Sequence, residues 1–358
     1  MPEDSRPDTG VRSEPATAEV GSDRPLAPRW QRVVSSRWLY KTIFLLYFIF
    51  AVVQLLRFEK WARGSGPYVP RPESVAGMLP IGHFTSFFAW VRGGGWDMLL
   101  PAGLVIILMS LAVSLAFKRG FCGWICPVGT VWELFAALGR RLFGRNVRIP
   151  RWLDLAGRGF RYLLASLFMF ALMVVPLSEA VGFRQLPYMW TADLKIVHLM
   201  AQPSWLAVAG LAAVLSVLFG PVWCRYLCPL GGLYSSVGAA SPCAVSRDAE
   251  ICIHCGRCAQ VCHAFVDPSK VSRVHAPECD GCMDCVKECP VDGCLEAKAF
   301  SRVRIAPWVW PLLVIGLWLI IFGFASATGN WTSHIPPEQY RQVIQAGILE
   351  QRTQGFLE

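Results

Sequence analysis

The sequence predicts a mainly α-helical integral membrane protein: five transmembrane helices, with a small cysteine-rich domain inserted before the fifth. Three observations carry this. The 358-residue chain is 54% hydrophobic and only 16% charged, where soluble domains average nearer ~25% charged. Five apolar stretches of spanning length punctuate it. Eight of its 14 cysteines crowd between Cys252 and Cys289. A secreted disulfide scaffold would be short and soluble; regularly spaced thiols in a long, apolar chain point to metal ligation instead.

In chain order, residues 1–35 read as a disordered tail. They are polar, show no periodic apolar face and lack the apolar core of a cleavable signal peptide. Residues 36–240 read as a four-helix membrane domain with spans at 38–56, 98–117, 162–178 and 205–223. Each has about the ~20 residues that an α-helix needs to cross ~30 Å of hydrocarbon. The only charge within them is Lys41, close enough to an end to snorkel. Residues 241–300 form the cysteine-rich domain, 301–326 the fifth helix (span 307–325), and 327–358 a C-terminal tail. The aromatic segments 82–90 and 186–190 lie in the loops opposite the cysteine-rich domain and suit an interfacial anchoring belt or a binding role.

Lys and Arg partition as 25 in the alternate segments that begin with the N-terminus and 9 in the others. The positive-inside rule then places the N-terminal tail, the second loop and the cysteine-rich domain in the cytoplasm, and the C-terminus in the periplasm. The net charge of +9 is thus a topology signal, with no weight for nucleic acid.

Cys252, Cys255, Cys258 and Cys262 form one C-x2-C-x2-C-x3-C run; Cys279, Cys282, Cys285 and Cys289, followed by Pro290, form a second. This run wraps a [4Fe–4S] cubane, its fourth thiolate reaching the other cluster. Cys252, Cys255, Cys258 and Cys289 are therefore expected to hold cluster one, and Cys279, Cys282, Cys285 and Cys262 cluster two. Zinc sites need only C-x2-C pairs and do not explain why the whole pattern repeats. The segment from Cys252 to Ala297 resembles the bacterial two-cluster ferredoxins, which implies a small α+β fold. It departs at His263, where the first run usually has Pro, and this bears on local hydrogen bonding and potential. Cys243 and Cys294 read as packing residues.

Two further motifs match one another. Cys122 and Cys126, then Pro127, follow the second span; Cys224 and Cys228, then Pro229, follow the fourth. Both read aromatic-C-x3-C-P-apolar-G, an internal repeat of span, thiol pair and proline break. The four thiols are placed to converge beside the cysteine-rich domain. A further metal or Fe–S centre, a redox-active disulfide and copper binding all suit them.

Over residues 38–325 the chain resembles the NapH, NosR and CcoG superfamily of membrane-bound polyferredoxins, on the strength of its membrane helices, two CxxxCP motifs and two ferredoxin runs. The NosR type carries a large flavin-binding domain before the first span, where this chain has a polar tail. The CcoG type has a folded domain after the last span, where about 33 residues follow here. The domain content is that of plain NapH-like members, which usually have four spans. The resemblance implies a bacterial inner-membrane electron-transfer protein exchanging electrons between the quinone pool or a cytoplasmic donor and a periplasmic or membrane redox partner, as a quinol dehydrogenase subunit. A CcoG-like copper(II) reductase and a NosR-like donor without the flavin domain are the alternatives. No histidine falls within a span, so quinone suits the relay better than bis-His haem. His83, Asp193 and His198, in the outer loops, are the candidate groups for quinone protons.

Overall fold

The computed structural model describes residues 28–78, 80–144, 146–147, 149–347 and 349. Of the expected disordered tail, residues 1–27 lie outside the described residues, while α1 (Arg29–Val34) is a short helix behind Pro28. The chain continues through α2 (Arg37–Ala62), α3 (Pro80–Val91), α4 (Pro101–Ala116), α5 (Pro127–Phe143) and α6 (Arg151–Val174). Then come α7 (Leu177–Gln185), α8 (Pro187–Trp190), α9 (Ala192–Met200), α10 (Pro203–Phe219) and α11 (Pro229–Ala239).

Helices α2 and α6 are long and apolar enough to cross a membrane, as is α14 (Val309–Ala327) near the C-terminus. A fourth crossing is reached only if α9 and α10, bent by 69° at their junction, count as one. Helix α4 is apolar, but its 16 residues rise only about 24 Å, short of ~30 Å of hydrocarbon. The five expected spans therefore become three or four by length and apolarity among the described residues. The shortfall has local causes. The Asp97 carboxylate accepts the N–H groups of Leu99 and Leu100, each at 3.2 Å, and Pro101 opens the helix just after them. Helix α10 stops at Gly220, whose φ of 92° leaves the helical region. Helix α6 begins eleven residues before its expected start and ends ahead of Pro176, with Val175 extended as a residue preceding proline must be.

The two repeats pack crosswise. Helix α4 of the first lies on α11 of the second, and α10 of the second lies on α5 of the first. The aromatic segment at 82–90 is not only an interfacial belt: within α3, Phe84 is buried with its ring 5.9 Å from Phe168.

The cysteine-rich region hangs on three antiparallel strands in the order β1 (Cys243–Arg247), β2 (Leu295–Ala299), β3 (Val303–Ile305). Val245 faces Ala297 across β1 and β2, and Cys243, Val245, Leu295 and Ala297 are buried. Both cysteine runs lie between β1 and β2, with the short helices α12 (Arg257–Val261) and α13 (Asp284–Lys287) packed together. One apolar core joins this region to the helices: Met283 and Val286 share it with Val113, Trp124 and Trp310. At the far end α15 (Pro337–Gln345) lays Tyr340 on Phe58 of α2, ring centroids 5.7 Å apart.

Candidate metal centre

The CxxxCP motifs form the same structure twice. Phe121–Ile125 and Trp223–Leu227 each wind into a π-turn. The second cysteine is then extended, as the following proline demands, and that proline occupies the first turn of a new helix. Cys126 and Cys228 cap these helices: the N–H of Gly129 donates to Cys126 Sγ at 3.4 Å and that of Gly231 to Cys228 Sγ at 3.3 Å. A helix N-terminus with N–H groups aimed at sulfur favours negative charge there.

Crosswise packing draws the four thiols together, so that Cys122, Cys126, Cys224 and Cys228 act on one another electrostatically. Burial, reinforced by Cys122, pushes the Cys126 thiol up to about 12. Burial and Cys228 push Cys224 well above the ordinary thiol range, and burial raises Cys228. Bare thiolates are disfavoured in such a site, and a bound cation would change that balance. The Arg119 guanidinium donates to Cys122 and to the Glu278 carbonyl, the latter at 3.4 Å.

The eight cysteines of the two runs fall into two pockets. Cys252, Cys255, Cys258 and Cys289 line one cavity, with Cys294 in its wall. Cys262, Cys279 and Cys285 act on one another, and Cys282 on Cys285, in the second. Cys285 also feels Cys258, so the pockets adjoin.

The second pocket sits against the first π-turn. Trp124 Nε1–H donates to the Gly281 carbonyl at 3.1 Å. A Cβ at Gly123 would fall 2.6 Å from the Asp280 carbonyl oxygen, so the close approach needs glycine. The second π-turn holds the insert through Arg225, which donates to the Ala264 carbonyl at 2.6 Å and to Asp154 at 2.8 Å.

Around this junction lies a buried ionic network. Glu133 of α5 pairs with Arg37 and Lys41 of α2. Arg37 reaches Asp284 at 3.1 Å, and His263 Nε2 lies 2.8 Å from Asp280. Burial works to raise both acids, but the surrounding cations outweigh it. Lys41, His263 and Arg37 hold Glu133 down at about 2. His263, then Arg37 and Lys41, hold Asp280 well below the usual carboxylate range. The His263 that replaces a proline thus ties the end of the first run to the second.

At the opposite end, Arg71 pairs with Asp193 at 2.8 Å and with Glu73 at 3.3 Å. His83 is buried within reach of the charges of Asp97, Arg71 and Asp193. Its ring hydrogen-bonds to the Ala76 backbone, Nδ1 has no partner among the described residues, and a Cβ at Gly103 would lie 1.9 Å from that nitrogen. Burial, against the pull of Asp97, lowers His83 to about 4. His83 and Asp193 therefore share Arg71, while His198 forms a separate, half-exposed pair with Glu59 at 3.0 Å.

The chain matches two protein families. A 4Fe-4S binding domain family covers residues 99–146 and 201–239, the two CxxxCP repeats, and a 4Fe-4S dicluster domain family covers residues 244–290. The protein YccM of Escherichia coli K12 is 33% identical over 88% of this chain and 91% of its own length. The chain belongs to the NapH/NosR type of membrane polyferredoxins. The regulatory protein NosR of Pseudomonas aeruginosa is 31% identical over 65% of this chain, which spans 33% of NosR. The ferredoxin-type protein NapH of E. coli K12 is 27% identical over 54% of this chain and 68% of its own. No solved structure matches. This polyferredoxin is accordingly an iron–sulfur electron-transfer protein of the membrane.

Sequence reasoning missed two kinds of residue at the polyferredoxin's site. Cys294, read as packing, hydrogen-bonds to both Cys252 and Cys289 in the first cavity; its place in the cavity wall arises from strand pairing, which spacing does not report. Arg37, Lys41, Lys118 and Arg119 look like ordinary basic residues at span ends, yet each is buried. The one available signal was position, since Lys118 and Arg119 immediately precede the first CxxxCP motif.

Proposed function

We propose that this polyferredoxin conducts single electrons between a redox partner at its cytoplasmic face and a periplasmic redox partner, exchanging with the quinone pool as a NapH-like quinol dehydrogenase subunit would. The observation that carries this reading is a gradient of exposure. Cys255 is exposed, the one cysteine of the two runs that opens to the surface among the described residues; no cysteine of the second set is exposed, and the quartet of CxxxCP thiols lies directly behind that set. Cys252, Cys255, Cys258 and Cys289 would hold one [4Fe–4S] cluster, and Cys262, Cys279, Cys282 and Cys285 another. Bound there, such clusters supply one-electron exchange. Cys122, Cys126, Cys224 and Cys228 would hold a further metal or Fe–S centre, since four convergent thiols are met by the single guanidinium of Arg119.

In this reading α2, α4, α6, the bent pair α9–α10 and α14 make five crossings of the bacterial inner membrane, with α4 locally short. The excess of Lys and Arg in alternate segments supports a cytoplasmic N-terminus and clusters, and a periplasmic C-terminus. At the periplasmic end Asp193, His83 and Arg71 would orient quinone and hold its protons, and His198 with Glu59 would pass them to solvent.

The test is anaerobic purification with iron and sulfide determined per chain, followed by EPR of the protein in liposomes on addition of duroquinol. About eight irons are expected from two cubanes, and more if the quartet binds iron. Quinol-dependent reduction or quinone-dependent oxidation of the clusters supports the reading; a colourless zinc protein overturns it. The quartet also favours a second reading, copper(II) reduction, because soft thiolates select Cu(I). Trapped Cu(I) that disappears in Cys122→Ser and Cys228→Ser, with quinone exchange intact, would move the assignment there.

A further inference from the structure

We propose that Lys118 is the charge-compensating group of the second cubane pocket, its buried ammonium raising the midpoint potential of the cluster held by Cys262, Cys279, Cys282 and Cys285. The inference deepens the proposed function and rests on that pocket holding a cluster.

A lysine at the end of a membrane helix ordinarily snorkels to water. Lys118 does not: it is 1% exposed, and its Nζ has no hydrogen-bond partner among the described residues. A buried ammonium without a partner is costly, so the site is arranged around a partner of negative charge. The groups whose charges act on it are Cys279 of the second pocket, Cys243 of β1, and Arg273, which repels it. Of these, Cys279 alone belongs to a pocket built to hold a dianionic centre.

The backbone around Lys118 is held against the second run: a Cβ at Gly281 would lie 3.1 Å from the Phe117 carbonyl oxygen, and Arg119 reaches the Glu278 carbonyl at 3.4 Å. Lys118 has a φ of 61°, uncommon for a residue with a Cβ. Its N–H donates to Ser241 Oγ at 3.1 Å, and Ser241 in turn donates to the Ala116 carbonyl at 2.8 Å. Gly238 presses so close that a Cβ there would sit 2.9 Å from the Lys118 carbonyl carbon. The charges of the two neighbours act on different thiols: Arg119 donates to Cys122 and acts on Cys224 of the quartet, and Lys118 acts on Cys279 and Cys243. A [4Fe–4S] centre gains one negative charge on reduction. A fixed cation beside it, screened little in a buried site, stabilises the reduced form. The second repeat has no such cation ahead of Cys224, where the residues are Gly220-Pro221-Val222-Trp223.

The experiment is an EPR-monitored redox titration of both clusters in the full-length protein, as wild type, Lys118→Met and Lys118→Arg, with iron and sulfide counted in each. In Lys118→Met the reduced-to-oxidised ratio of the second cluster at a fixed poise should fall about tenfold, 59 mV for a one-electron couple. Lys118→Arg should restore it, and the first cluster should serve as an unmoved internal reference. A second cluster that assembles in Lys118→Arg but not in Lys118→Met also supports a need for charge. An unchanged midpoint in Lys118→Met overturns the inference, as does failure of both variants to assemble the cluster, which would mean that shape rather than charge is required. A wild type lacking the second cluster overturns the reading of that pocket itself.

Discussion

The two cysteine runs are written in the same C-x2-C-x2-C-x3-C spacing, yet they sit in different environments. The first lies at the surface. Its Cys255 is exposed, and the Cys252 thiol lies below the ordinary range because the His254 backbone and Arg247 outweigh burial. The second is sealed between α2, α5 and the first π-turn, and burial pushes its Cys279 thiol up to about 12, with Asp280 adding to the rise. Cations answer this on the buried side: Arg37 acts on Cys282, and Lys118 on Cys279. The spacing of a run sets which sulfurs meet; what the run is packed against sets how easily the site takes on charge.

Three perturbations test this contrast, the largest first. Glu133→Ala leaves Arg37 and Lys41 buried without their carboxylate and should cost roughly 3–5 kcal/mol. Lys270→Ala, which removes a solvent-exposed pair with Asp267 beside the first pocket, should cost at most about 1 kcal/mol. Detergent-solubilised unfolding curves measure both, and equal losses would break the distinction between the pockets.

Acid should act next. In the folded protein Glu133 is held down at about 2 by Lys41, His263 and Arg37, against an ordinary 4.5. Because its folded value is depressed, its stabilisation is complete above about 4.5 and is lost as pH falls through about 2. At the far end His83 is depressed from 6.5 to about 4, so the stability it contributes is full above about 6.5 and declines towards about 4 as the unfolded chain gains a proton that the folded one refuses. Hydrogen exchange of α3 should weaken first on acidification, before that of α5, and His83→Gln should flatten only the α3 response.

A smaller effect than that of Glu133→Ala is expected for Trp124→Phe, which keeps the ring packing and deletes the hydrogen bond to Gly281. A loss of about 1 kcal/mol is expected, with a shifted EPR signal from the second cluster alone.

The legible parts of this molecule were those in which chemistry is local in sequence. Cysteine spacing gave the iron–sulfur character of the insert, the paired prolines gave the matched turns, and apolar runs gave the long helices. Helix ends were less legible. Asp97 holds the N–H groups of Leu99 and Leu100 ahead of α4, and α9 and α10 part at extended Gln202 and Pro203, single residues that a hydropathy average does not register. Least legible was burial of charge. A count of Lys and Arg cannot separate a residue that reaches water from Lys41 or Lys118, because their partners lie on elements far away in the chain. The same holds for His83 and Asp193, which share Arg71 from three separate segments, whereas His198 stands apart with Glu59.

The crosswise arrangement of the repeats constrains biogenesis. More than a hundred residues separate the end of α4 from the start of its mate α11, so the growing chain must insert α4, α6 and α10 before α4 finds its neighbour. The nest of four sulfurs is completed only when the last of these pieces arrives. The site is therefore complete only late in synthesis, and a chain interrupted between the repeats would expose Cys122 and Cys126 with nothing opposite them.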